Sequence, residues 1–97
     1  MADEVDIRPE ARADLDGIFD YTAERWSFEQ AIDYSARFNE AFERLADGTA
    51  LIRSRPDAPE GIRVVAVGSH HVFLRKDDDM ITVLRVLHQS VDPRRHL

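Results

Sequence analysis

Residues 85–97, RVLHQSVDPRRHL, bring Arg85, His88, Arg94, Arg95 and His96 close together at the end of an apolar run. Imidazoles move protons near neutral pH, and guanidinium groups neutralise phosphate or pair with carboxylates. A cluster of this kind is a catalytic centre, a binding handle, or the polar end of a fold. His70 and His71 add two more imidazoles further upstream. Asp77, Asp78 and Asp79 suggest a calcium site by count alone. Three consecutive acids cannot converge on one ion, and the alternating ligands and closing Glu of an EF-hand loop are missing, so this run reads as a solvated turn. The chain has no cysteine, which removes disulfides, thiolate nucleophiles and sulfur-built zinc sites. No metal or cofactor is expected from these residues.

At 97 residues the chain fits one domain. A domain of that size buries only about 65% of the surface its unfolded form exposes, which leaves room for a partner to add stability. No apolar run approaches the length of a membrane span, and the acidic opening MADEVDIRPE lacks the basic region and apolar core of a secretion signal. A cytoplasmic protein without membrane attachment is expected. The formal net charge is -6, unevenly spread: residues 1–48 hold 13 acids and 5 bases, residues 49–97 hold 6 acids and 8 bases. Phosphate backbones repel such a chain unless its cations are focused on one surface, so direct nucleic-acid binding is not expected.

These side chains must be positioned by the elements around them. EVDIR reads as a short strand, and Pro9 suits a first helical position, where its missing N–H costs nothing. Ala11, Leu15, Ile18, Phe19 and Thr22 recur at helical spacing, with Asp14, Asp16, Asp20 and Glu24 on other faces, up to about Trp26. Ser27 and Gln30 have capping-box spacing for a second helix, whose face carries Ala31, Tyr34, Phe38, Ala41, Phe42 and Leu45. Gly48 sits where a left-handed residue ends such a helix. Trp26, Phe28, Phe38 and Phe42 read as packing residues rather than a platform for stacked bases. Residues 49–60, with Pro56 and Pro59, form a connecting loop. IRVVAV, HHVFLRK and MITVLRVLH then read as three strands joined by a two-residue turn at Gly68-Ser69 and a longer one at Asp77–Asp79. The order is βααβββ with a tail: an α+β fold, with a helical hairpin on one face of a small antiparallel sheet.

The turns imply a register. One sheet face then carries Arg63, His70 and His88 among Val65, Val67, Val72, Leu74, Leu84 and Val86. The other carries His71, Arg75 and Arg85 among Ile62, Val64, Phe73, Ile81, Val83 and Leu87. The helices cover only one face; the tail, a partner or solvent must meet the other.

ARADLDGIFDYTAERWSFEQAIDY, GIRVVAVGSHHVFLRK and ITVLRVLHQSVDPRRHL, taken in this order, resemble the ParE toxins of the RelE/ParE toxin–antitoxin superfamily from Pro9 to Leu97. The most specific pieces are Asp14-Leu15, Ile18, Tyr21 and Trp26, Gly61 and Arg63, Gly68-Ser69-His70, and Arg85 to His88 with Arg95 to Leu97. Arg8-Pro9 and Ser27 depart from the usual pattern at the helix ends. The resemblance implies a cytoplasmic bacterial toxin, encoded with a ParD-like antitoxin, that inhibits DNA gyrase and is no enzyme. Antitoxin segments of this kind lay apolar residues in a groove and acids against bases, so Arg63, Leu74, Arg75 and Arg85 are the candidate antitoxin contacts. Arg94, Arg95, His96 and Leu97 are the candidate contacts to the target.

The superfamily's ribonuclease branch supplies a competing expectation. Cutting RNA needs a base for the 2'-hydroxyl, cations for the phosphorane and an acid for the leaving oxygen. Glu60, Arg63 and His88 fit those roles by type, with His70 as a second acid or base. Against it stand the lack of any tyrosine after Tyr34 and the acidic net charge. A third expectation is a degenerate module that still binds antitoxin but is no longer toxic. His88 at a strand end serves more simply to fix the tail, His70 and His71 to edge a turn, and Arg53 and Arg55 to line a loop. Arg85 needs an acid partner, for which Asp92 or an antitoxin carboxylate is the candidate.

Overall fold

The computed structural model describes residues 3–97. Strand β1 (Glu4–Ile7) leads into helices α1 (Pro9–Arg25) and α2 (Phe28–Asp47), followed by strands β2 (Arg63–Val67), β3 (His70–Asp77) and β4 (Met80–His88). A single 3-10 turn, Pro93–Arg95, closes the tail. Pro9 stands in the first turn of α1, and Ser27 Oγ accepts the Gln30 N–H at the start of α2 at 3.0 Å. Gly48 ends α2 at φ 81, so both helix boundaries follow from residue type.

The sheet order is β1-β4-β3-β2. The β2–β3 and β3–β4 pairs are antiparallel, but β1 runs parallel to β4, from Glu4 opposite Met80 to Ile7 opposite Val83. The sheet is therefore mixed rather than purely antiparallel. Arg53 adds one more rung at the free edge, exchanging both backbone bonds with Val64 at 2.8 and 2.9 Å.

The first hairpin has the expected register, with Val67 opposite His70 and Arg63 opposite Leu74. The second does not. Its loop is only Asp78-Asp79, with Asp78 at φ 51, and the pairing shifts again beyond Leu74–Val83, so that Phe73 faces Arg85 and Leu84 is skipped. The shorter loop moves Ile81 and Val83 to the helix-covered face and the bulge puts Leu84 on the other, which corrects the faces expected for these three residues. The main core lies between the hairpin and the sheet: Phe38 and Leu45 of α2 meet Val65, Val67, Val72, Leu74, Ile81, Val83 and Val86. Each such side chain contributes roughly 1.5–3 kcal/mol on burial.

The second face is covered by the chain itself. Ile62, Val64, Phe73 and Leu87 are buried beneath Ala58 of the loop, Leu84, and Val91 and Leu97 of the tail. Among the described residues no helix is long and apolar enough to cross a membrane.

Gly68 is the tightest point between the layers. It has φ 56, and a Cβ there would lie 2.7 Å from Tyr34 Cε1 and 2.8 Å from its hydroxyl. Gly68→Ala is therefore expected to lose about 1–3 kcal/mol of stability in urea unfolding, through left-handed strain and displacement of the Tyr34 ring. A loss under about 0.5 kcal/mol, the range of an ordinary surface change, contradicts this account.

Candidate functional site

A groove of about 640 Å³ opens where the α1–α2 corner overhangs the β2–β3 turn. Tyr21 and Trp26 stand on its wall, 64% and 66% exposed, and Tyr34 and His70 lie deeper, with the exposed His88 beside them. Phe28 and Ile32 extend the exposed apolar surface around the corner, and Phe28 meets Phe19 edge-on at 5.7 Å. Trp26 and Phe28 are thus surface residues, unlike the buried Phe38. Trp26 falls just past the last turn of α1, where helical periodicity no longer assigns a face.

Tyr34 organises this groove. Its hydroxyl lies 2.9 Å from the Val67 carbonyl, 3.2 Å from the Ser69 N–H and 2.7 Å from His70 Nδ1. A phenol has one proton, and the Val67 carbonyl already belongs to the Val67–His70 rung of the β2–β3 ladder, so that proton goes to Val67 or to His70 Nδ1 according to the His70 tautomer. The Ser69 N–H donates to the phenolic oxygen. Burial first, and then the imidazoles of His88 and His71, push the His70 pKa below its ordinary value. His70 is half-buried and bonded to α2, not a solvated turn residue.

His88 sits opposite His70, with ring centres 5.5 Å apart at 84°. Its Nδ1 contacts Ser90 Oγ at 2.7 Å and the Ser90 N–H at 3.2 Å, which anchors the start of the tail. Arg63 is at the other end of β2, four residues from the Val67–His70 rung. That places it roughly 13 Å along the strand and two strand spacings away from His88. Glu60 precedes β2 in the loop beyond Arg63. The ribonuclease trio Glu60, Arg63 and His88 is not assembled, because a phosphodiester is far smaller than the spread of the three groups.

The antitoxin candidates separate in the same way. Leu74 is fully buried in the main core and presents nothing to a partner. The Arg85 partner is Asp14 of α1, not Asp92: Arg85 Nε and Nη2 donate to the two carboxylate oxygens at 2.7 and 2.9 Å. Asp14 also accepts the Val86 N–H at 2.9 Å, and its hydrogen bond raises the Arg85 pKa. Arg85 is thus committed inside the fold. Arg63 and Arg75 are exposed, and their side chains are open to solvent.

The tail is folded back, not extended. Arg55 lies over the Phe73 ring at 5.7 Å, forks onto Asp57 at 2.6 and 2.9 Å, and donates to the Val91 carbonyl at 3.1 Å. It also contacts His71 Nδ1 at 3.2 Å; burial first, and then the Arg55 charge, lower the His71 pKa. Asp92 accepts the Arg94 N–H and its guanidinium, and Pro93 is buried. Leu97 packs on the second cluster. Of the four expected target contacts, Arg94 is exposed but tied to Asp92, Leu97 is half-buried, and Arg95 and His96 project freely.

A helical hairpin on a four-stranded mixed sheet is a RelE/ParE-like fold. A chromosomal ParDE toxin–antitoxin system from Pseudomonas aeruginosa superimposes with TM-score 0.75 at 21% identity, covering 90% of this chain and 96% of the other. A YoeB dimer from Staphylococcus aureus follows with TM-score 0.61 at 14% identity, covering 91% and 98%. In sequence, residues 5–93 match the family described as the ParE toxin of the type II toxin–antitoxin system, parDE. The toxin ParE1 of Caulobacter vibrioides is 39% identical over 87 residues, 90% of each chain. A toxin ParE1 of Mycobacterium tuberculosis is 36% identical over 92 residues, 94% of each. The chain belongs to the ParE family of type II toxins.

Two polar clamps make separable predictions. Asp14→Ala leaves a guanidinium and the Val86 N–H without their acceptor and is expected to cost about 3 kcal/mol, more than Arg85→Met. Equal costs in chemical unfolding contradict the assignment. Arg55→Ala is expected to speed amide exchange at Val91, Arg95 and His96 while β3 and β4 stay protected, and Arg55→Lys does not restore the fork. Arg55 holds the Asp57 carboxyl below its ordinary range. That contribution is present above the ordinary carboxylate pKa and is lost as pH falls through the lowered one.

Proposed function

We propose that this ParE-family chain inhibits DNA gyrase as a stoichiometric, non-enzymatic toxin in the cytoplasm and is neutralised by a ParD-like antitoxin encoded beside it. The observation that carries this reading is the ParE match over residues 5–93 on a fold whose ribonuclease trio is spread along the sheet. The antitoxin lays an apolar side chain into the groove between Trp26 and Tyr34, with further contact along the exposed Tyr21–Phe28 surface. Arg63 and Arg75 remain candidate contacts for its acids, whereas Leu74 and Arg85 do not. The target meets the tail at Arg95 and His96, which the Arg55 and Asp92 clamps hold in place.

Supercoiling by purified gyrase and ribosome-dependent cleavage of messenger RNA, run on the same preparation, test the activity. Loss of supercoiling with intact message is expected. Intact supercoiling with cleaved message overturns the proposal in favour of the ribonuclease, and inactivity in both favours the degenerate module. Tyr21→Ala with Trp26→Ala is expected to weaken antitoxin binding by about 2 kcal/mol or more, since exposed aromatic anchors carry most of such interfaces. Arg95→Ala with His96→Ala is expected to weaken gyrase inhibition while leaving antitoxin affinity within about threefold. Loss of both activities in the tail variant, or of neither, rejects the role given to the tail.

A further inference from the structure

We infer that His70 and His88 form a two-imidazole site for a divalent transition cation of the zinc, nickel or copper class, bound through their Nε2 atoms at the sheet side of the groove. The two residues are direct cross-strand partners on β3 and β4, so the backbone ladder fixes the spacing of their side chains. With a metal–nitrogen bond of about 2.1 Å and a ring centre ~1.1 Å behind each nitrogen, two imidazoles on one tetrahedral ion have centres about 5 Å apart. The observed separation is 5.5 Å, a spacing that suits two rings on one ion once their Nε2 atoms turn toward it.

The outer ring atoms are already held. Metal-binding histidines usually donate their second N–H to a fixed acceptor, which orients the ring and leaves the other nitrogen free. When a cation takes Nε2 of His70, the ring proton resides on Nδ1 and is donated to the Tyr34 hydroxyl 2.7 Å away, whose own proton goes to the Val67 carbonyl. His88 Nδ1 contacts Ser90 Oγ at 2.7 Å. When a cation takes Nε2, the His88 ring proton resides on Nδ1, the Ser90 hydroxyl accepts it, and the longer 3.2 Å contact with the Ser90 N–H is given up.

The surroundings select the ion. Gln30, Asp33, Arg37 and Ser69 complete the polar part of the groove, and the Arg37 guanidinium is engaged over the Tyr34 ring at 5.5 Å. Among the described residues no group of three or more His, Cys, Asp or Glu side chains comes together. Water completes the coordination, and the ion is held at two points and exchanges readily. Two imidazoles without a carboxylate ligand favour zinc, nickel or copper over magnesium and calcium.

Calorimetric titration of the tag-free chain with zinc or nickel chloride, in a buffer that does not chelate, tests the site. One cation per chain is expected, with magnesium showing no heat. His70→Ala and His88→Ala should each weaken binding about tenfold or more, and Tyr34→Phe about tenfold by freeing the His70 ring. His71→Ala and His96→Ala should leave binding unchanged. His88 is exposed, so His88→Ala folds even where the His70 variant does not. Titration of neither metal up to millimolar concentration, or binding that survives both single substitutions, overturns the inference. Toxicity and antitoxin binding play no part in this readout, so its failure is distinct from failure of the proposed function.

Discussion

The bulge in β4 and the carboxylate that closes it set the arrangement of the sheet. A regular strand would continue Ile81 and Val83 with Arg85 on the helix-covered face, placing a guanidinium in the core. Skipping Leu84 lets Val86 follow Val83 there instead and turns Arg85 toward the sheet edge. β1 ends at Ile7, opposite Val83, so beyond that point β4 has no strand neighbour on this side. The Val86 N–H would be left unpaired at a cost of about 1–3 kcal/mol. Asp14, one turn into α1, accepts it and both arms of Arg85. One side chain thus satisfies the bulge, neutralises the displaced cation and ties α1 to β4.

That arrangement shows what the sequence can and cannot disclose. The helices, the Gly68-Ser69 turn and the Arg63–Leu74 register were legible because caps, glycine and periodicity act over a few residues. The face of each β4 residue was not. MITVLRVLH is apolar nearly throughout, since both sides of β4 are covered, and a run without alternation carries no parity from which to place a bulge. Asp14 reads as one of several acids on a solvated helix face, and nothing local distinguishes it from Asp16 or Asp20. Leu74 and Arg85 were misplaced as partner contacts for the same reason: burial and pairing are long-range properties. Tyr34 looked like an ordinary core residue because its three polar partners lie more than thirty positions away.

The uneven charge acquires a structural meaning. The acidic half forms β1 and the hairpin, whose exposed aromatic residues gather at one corner, while the basic half forms the other three strands and the tail. The second sheet face is not left for a partner, because a loop and the tail cover it through Arg55, Asp57 and a few apolar contacts. This cover consists of a few half-buried apolar side chains and the Arg55 clamp. The tail therefore belongs to the part of the molecule that opens at least cost, while the groove rests on the main core.

Gly68 and Tyr34 join stability to the chemistry of the groove. The ring approaches the turn so closely that only glycine fits, and the fold gains a hydrogen-bonded tie between α2 and the β2–β3 hairpin. The same hydroxyl lies 2.7 Å from His70 Nδ1 and ties that imidazole to α2. A side chain needed for packing thus holds one imidazole beside another, His88. No selection for chemistry is required to produce such a pair, since the layer spacing and the cross-strand register produce it together.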